Sequence, residues 1–230
     1  MVRRVAHKQA SCLFLSPWHL VANEETRIGF ALIAQLGLLV VVGALACPLY
    51  QSDIVLFSGH PISQLLGFVF LIQAILILQP THLPAQKIHG ARAHALLHAF
   101  SLSAFVAGIT VIEYNKSHNR LGHFHSVHAY VGVVTCIILA LQYLVGFTMW
   151  ATPRLYGNAK NAGAVWKYHR LSGYLVAALL LVSLITAMKT DFVKNVLQVN
   201  LTLIILGCVL IVVGSVPQID LTKLKGAFGT

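Results

Sequence analysis

Six runs of about twenty residues carry almost no charge, and they constrain the fold more than any other feature of the chain. They are Ile28–Cys47, His60–Leu78, Ala93–Ile112, Val127–Trp150, His169–Met188 and Val196–Val216. Each matches the roughly 20 apolar residues that an α-helix needs to cross a bilayer. Backbone N–H and C=O groups in hydrocarbon must pair internally, so spanning segments are helices or the strands of closed barrels. Barrel strands are about ten residues long and alternate in polarity. These runs are twice that length and uniform. Only 10% of the 230 residues are charged, against about a quarter in an ordinary soluble domain. The expected fold is therefore all-α and membrane-integral. One six-helix domain is expected over 27–217, with polar tails at 1–26 and 218–230. The first residues lack the longer apolar core and small-residue cleavage site of a signal peptide, so the first run is expected to stay.

The net charge of +10 invites a nucleic-acid reading, but its distribution argues against one. With six spans, the N-terminal tail, the loops 79–92 and 151–168 and the C-terminal tail share one side. That side carries twelve Lys and Arg residues, including Arg3, Arg4, Lys8, Lys87, Arg92, Lys223 and Lys225. The other side carries four: Lys116, Arg120, Lys189 and Lys194. This asymmetry follows the positive-inside rule and predicts that both termini are cytosolic. The charge is mainly a topology signal.

Topology also sorts the histidines. His60, His94, His128 and His169 stand near the entrances of the second to fifth runs, the first three at intervals of thirty-four residues. Ionisable side chains at membrane depth are costly and usually mark function. His60 and His128 fall at the outer edge, His94 and His169 at the inner edge. One four-histidine site is excluded, because the two pairs are separated by a core about 30 Å thick. Zinc would want three or four converging ligands. Two facing imidazoles suit haem iron, whose ring nitrogens leave only two axial positions. The four cysteines are scattered and no C-x-x-C-H sequence is present, so any haem is held by coordination alone.

Glycines reinforce a flat ligand. Gly132 and Gly173 lie four residues after His128 and His169, on the same helix face. Gly67, Gly108 and Gly146 fall near the faces of His60, His94 and His128. Any one of them is adequately explained by close helix packing; the set, in phase with the histidines, favours room for a porphyrin edge. His98 lies one turn from His94, and His125 three residues before His128. On spacing alone either could replace its neighbour. His7, His19, His82, His89, His118 and His123 read as interfacial or substrate-side residues.

At these residues the chain resembles the eukaryotic cytochrome b561 family of six-helix, two-haem transmembrane electron carriers. The resemblance runs from about Gly59 to Tyr174. It rests on Gly59-His60-Pro61, on Lys87 followed by His94-Ala-Leu-Leu-His98, on Ser126-Val-His128-Ala-Tyr-Val-Gly132, and on Tyr168-His169 with Gly173. It implies a four-helix di-haem core (helices 2–5) and two non-covalent haem b groups. The implied axial ligands are His60 and His128 for the outer haem, and His94 and His169 for the inner haem. His94 and His128 are thereby favoured over His98 and His125. Ile75–Pro80, Val111-Ile112 and Gly122-His123 resemble the shorter branch, the domain-containing reductases of endomembranes. Three positions depart from the longer branch. Gln79-Pro80-Thr81-His82 replaces an arginine-containing stretch, Ala91 and Arg92 stand where a second lysine is usual, and Lys116 replaces an outer ascorbate histidine.

The resemblance implies an enzyme: a transmembrane oxidoreductase passing electrons from cytosolic ascorbate, through the inner and then the outer haem, to ferric iron or monodehydroascorbate. Lys87 and Arg92 are the expected donor-side residues, and Lys116 and His123 the expected acceptor-side residues. Lipid is the expected environment, an endomembrane rather than the plasma membrane. A homodimer is left open, and nucleic acid is not an expected partner. The alternatives are a non-redox haem-binding module or a proton-coupled carrier, which would show broken helices. Purified in detergent, the chain is expected to be coloured and to yield two extractable b-type haems per chain by the pyridine haemochrome assay. A colourless protein would overturn the haem reading.

Overall fold

The computed structural model describes residues 24–78 and 84–219. The basic N-terminal tail with Cys12, the Gln79–His82 stretch and the C-terminal Lys223 and Lys225 lie outside the described residues. Among the described residues six helices carry the fold: α1 (Glu24–Gln51), α2 (Gly59–Leu76), α3 (Pro84–His118), α4 (Val127–Ala151), α5 (Ala159–Ala187) and α6 (Leu201–Ser215). All six are long and apolar enough to cross a membrane, alone or with an adjoining turn. The chain is an all-α integral membrane protein, and consecutive spans run antiparallel.

α3 and α5 outrun their apolar segments. α3 begins nine residues before Ala93 and ends six after Ile112, and α5 begins ten before His169. Lys87, Arg92, Lys160 and Lys167 therefore sit on helices rather than in loops. Hydrogen-bonded helix propagates as long as the chain tolerates it, so local chemistry decides the ends. Pro84 opens α3, where its missing N–H costs nothing. The Asn158 side chain accepts a hydrogen bond from the Asn161 N–H at 2.9 Å and caps α5. Ser126 does the same for α4, accepting from Ala129 at 3.2 Å. α6 starts later than Val196, because Val193–Leu197 form a π-turn and Gln198 is left-handed (φ 50°), which breaks the helix. Pro48 falls in the last turn of α1 and Pro61 in the first turn of α2.

The helices pack as three antiparallel pairs: α1 with α6, α2 with α3, and α4 with α5. In lipid no solvent drives helices together, so close packing and polar contacts must do so. Gly37 and Gly207 bring α1 and α6 to backbone contact. A Cβ on Gly207 would stand 2.6 Å from Val41 Cγ2 and 2.9 Å from the Gly37 carbonyl oxygen. Between α2 and α3, the Phe105 ring lies against Gly67, and Ser101 Oγ donates to the Gly67 carbonyl at 2.8 Å. A reciprocal amide pair ties α1 to α2: Gln35 Nε2 donates to Gln73 Oε1 at 2.9 Å, and Gln73 Nε2 to Gln35 Oε1 at 2.7 Å. The α2/α3 and α4/α5 hairpins each close tightly and meet along a narrower seam. Leu32, Leu39, Ile137, Leu141 and Leu144 are exposed, as apolar residues facing lipid should be. Gly207→Leu is expected to cost about 1–3 kcal/mol through overpacking, read as a lower Tm in detergent. Gly43→Leu, where a Cβ meets nothing within 4 Å, should leave Tm unchanged.

Candidate functional site

The seam between the two hairpins holds the histidines. His60, the second residue of α2, faces His128, the second residue of α4, with ring centroids 6.2 Å apart and planes at 77°. His94 of α3 faces His169 of α5 at 6.5 Å and 81°. An imidazole nitrogen binds a first-row metal at about 2.0–2.1 Å, and the ring centroid lies roughly 1.1 Å behind it. One ion between two opposed rings therefore sets the centroids about 6.2–6.4 Å apart. Both separations fit a single iron between each pair. At 1.5 Å per residue, the fourteen residues from His94 to Gly108 beside His60 put the pairs roughly 21 Å apart along the helices.

Backbone carbonyls orient three of the four rings. His60 Nδ1 lies 2.9 Å from the Gly108 carbonyl, His94 Nδ1 2.7 Å from that of Ala74, and His128 Nδ1 3.0 Å from that of Ser183. A carbonyl only accepts, so each Nδ1 carries the proton and donates it. The Nε2 lone pair is left free for a metal, the usual outer-shell arrangement of a ligating histidine. Ala74 lies in the last turn of α2, where carbonyls run short of helical N–H partners. His169 departs from this pattern: its Nδ1 is buried without a hydrogen-bond partner.

Among neighbouring candidates, the fold places His94 and His128 opposite other histidines. His98 packs edge-on against His94, centroids 4.4 Å apart. His125 is exposed in the α3–α4 loop. Among the described residues no three His, Cys, Asp or Glu side chains converge on a compact metal site. Cys47, Cys136 and Cys208 are free thiols.

The glycines divide. Gly67 and Gly108 serve the α2–α3 contact, against Phe105 and against Ser63 and Gln64. The space opposite them is taken by side chains and not left for a macrocycle. Gly132 is nearly open, with only Ser183 Oγ 3.6 Å from a built Cβ. Gly146 adjoins the His169 ring, whose Cε1 would be 2.6 Å from a Cβ. Of the charged candidates, Lys87 and Arg92 are exposed near the start of α3. Lys116 is half-buried and within electrostatic reach of both His60 and His128. His123 Nδ1 is 3.1 Å from Glu113 Oε2, so it is engaged with the last turns of α3.

Inspection of residue types misses Ala74 and Ser183, and misses Gly108 as an acceptor, because their backbones act and their side chains do not. A register count finds them. Each lies fourteen residues after a histidine on its own helix, four turns on and nearly on the same face. The same count from His128 reaches Gln142. Its Nε2 donates to the His169 carbonyl, and its Oε1 accepts from Ser172 Oγ at 2.9 Å.

Residues 59–195 match the model of the family described as eukaryotic cytochrome b561. A stretch of 106 residues is 24% identical to the mouse (Mus musculus) lysosomal membrane ascorbate-dependent ferrireductase, covering 45% of this chain and 44% of that protein. Over 143 residues the chain is 25% identical to ascorbate-specific transmembrane electron transporter 2 of Zea mays, covering 60% and 58%. The human transmembrane ascorbate-dependent reductase is 28% identical over 107 residues, covering 45% and 41%. The match thus spans less than half the length of the two mammalian relatives and under two thirds of the maize one. Gly146→Val is expected to push the His169 ring off His94 and lower the haem content of the purified chain. Gly163→Val, where a Cβ meets nothing within 4 Å, should not.

Proposed function

The chain belongs to the eukaryotic cytochrome b561 family, and from that premise we propose that it is a di-haem transmembrane oxidoreductase of an endomembrane. It takes single electrons from ascorbate in the cytosol and delivers them to ferric iron or monodehydroascorbate on the lumenal side. Both termini face the cytosol in this reading, which puts His94 and His169 at the donor end and His60 and His128 at the acceptor end. The observation that carries the proposal is the pair of facing imidazoles at each end of one four-helix seam, at 6.2 and 6.5 Å. The proposed axial ligands are those four histidines. Haem b, when bound there, supplies one-electron redox chemistry.

The protein's own part is to hold, orient and insulate. The carbonyls of Ala74, Gly108 and Ser183 keep three imidazoles in the Nδ1–H tautomer, so each presents Nε2 inward. Between the two ends the seam is dry. Leu71, Phe105, Thr135 and Leu139 are each no more than 3% exposed, which denies water and free protons a path. Thr135 Oγ1 donates to the Val131 carbonyl within its own helix at 2.7 Å, so it offers no donor to the seam. Lys87 and Arg92 attract the anionic donor toward the His94 end through long-range attraction. Lys116 does the same for an anionic acceptor complex at the other end.

Proteoliposomes with a ferric chelate inside and ascorbate outside test the proposal. The intact chain is expected to generate internal ferrous iron. His94→Ala and His128→Ala should each abolish the signal, while His98→Ala and His125→Ala keep it. Failure of ascorbate to reduce the purified haem protein would overturn the donor, and full activity of His94→Ala would overturn the ligand set.

A further inference from the structure

The four seam helices follow one register. Counting from each histidine, the seventh residue on is Gly67, Ser101, Thr135 or Val176, and the eleventh is Leu71, Phe105, Leu139 or Leu180. All eight are buried. The fourteenth is Ala74, Gly108, Gln142 or Ser183. Within each hairpin the helices are antiparallel, so the fourteenth residue of one helix comes level with the histidine of its partner. Ala74, Gly108 and Ser183 are small, so the partner's imidazole reaches the carbonyl at 2.7–3.0 Å. A carbonyl has two lone pairs and can serve both its helix and the ring.

The fourth position holds a long side chain, and it is level with the one histidine whose Nδ1 has no partner. The Gln142 amide is turned to the backbone of α5 and to Ser172. Its Nε2 donates to the His169 carbonyl, its Oε1 accepts from Ser172 Oγ, and Ser172 Oγ also reaches the Tyr168 carbonyl at 2.7 Å. Gly173 makes room for it, a built Cβ there standing 3.1 Å from Nε2. The backbone of His169 is clamped while its ring is left unanchored.

We infer that Gln142 is a positioning residue, which withholds from His169 the carbonyl anchor that the other three histidines have and so makes the two haem sites electronically unequal. The inference rests on the axial roles proposed above and deepens them. A hydrogen bond from Nδ1–H raises the basicity of the ligating nitrogen, and a more basic ligand favours ferric iron. The His60/His128 site has two anchored imidazoles and the His94/His169 site has one. Gln142 therefore raises the reduction potential at the His94/His169 site. Restoring a small residue at 142 should let His169 Nδ1 reach the carbonyl of residue 142, as its three counterparts reach theirs.

The test is a redox titration with ferric electron paramagnetic resonance on the intact chain, Gln142→Ala and Ser172→Ala. His169→Ala and His128→Ala, each lacking one haem, assign the two components. In Gln142→Ala the potential of the His94/His169 component is expected to fall and its ferric signal to shift, with two haems retained and the other component unmoved. Ser172→Ala frees the Gln142 Oε1 to accept from His169 Nδ1 and should move the same component in the same direction, by less. It also serves if Gln142→Ala does not fold. Two retained haems with both components unmoved, or a shift confined to the His60/His128 component, would overturn the inference. Full haem content in His169→Ala would overturn the axial reading itself.

Discussion

An imidazole placed in hydrocarbon has two ring nitrogens to satisfy, and the architecture of the seam follows from that requirement. A buried polar group left without a partner costs about 1–3 kcal/mol, and water is not at hand within the bilayer core to supply one. The N–H of His60, His94 and His128 finds a backbone carbonyl on the neighbouring helix of the same hairpin. That bond fixes the tautomer, and the tautomer turns the remaining lone pair into the seam. Hairpin packing and imidazole orientation are thus one interaction seen from two sides. α2 and α3 cannot slide past one another without disengaging His60 from Gly108 and His94 from Ala74 together.

The outer pair of helices supports this arrangement from behind. α1 reaches α2 through the reciprocal Gln35–Gln73 amides, and Gln73 directly precedes Ala74, whose carbonyl holds His94. α6 in turn closes on α1 through Gly37 and Gly207. The contacts farthest from the histidines therefore bear on the position of a carbonyl that orients one of them. The glycines expected to leave room for a flat ligand do not all leave it. Gly67 and Gly108 let α2 and α3 approach, while Gly132 leaves open space and Gly146 accommodates the His169 ring.

Much of this was legible in the residues. The six apolar runs identify the spans, because hydrocarbon thickness sets their length. Alternating topology assigns each histidine to an end, and so decides which could meet. Helix ends were less legible: α3 and α5 extend beyond the apolar runs because capping groups such as Pro84 and Asn158 stop a helix, and hydropathy does not. His98 and His94 could not be separated by spacing, since residues one turn apart share a face. Nor could spacing reveal that His123 would turn to Glu113.

The sequence by itself determined the class of fold, the number of spans and the types of ligand available, because burial of apolar length and the cost of buried polarity are properties of residue type. Only the tertiary structure decided between neighbouring histidines, which nitrogen each ring presents and which carbonyl holds it. A carbonyl is common to every residue, and its use depends on what the neighbouring helix brings level with it. Gln142 shows the boundary between the two. Its place in the register is written in the chain, but its effect on His169 exists only where α4 and α5 meet.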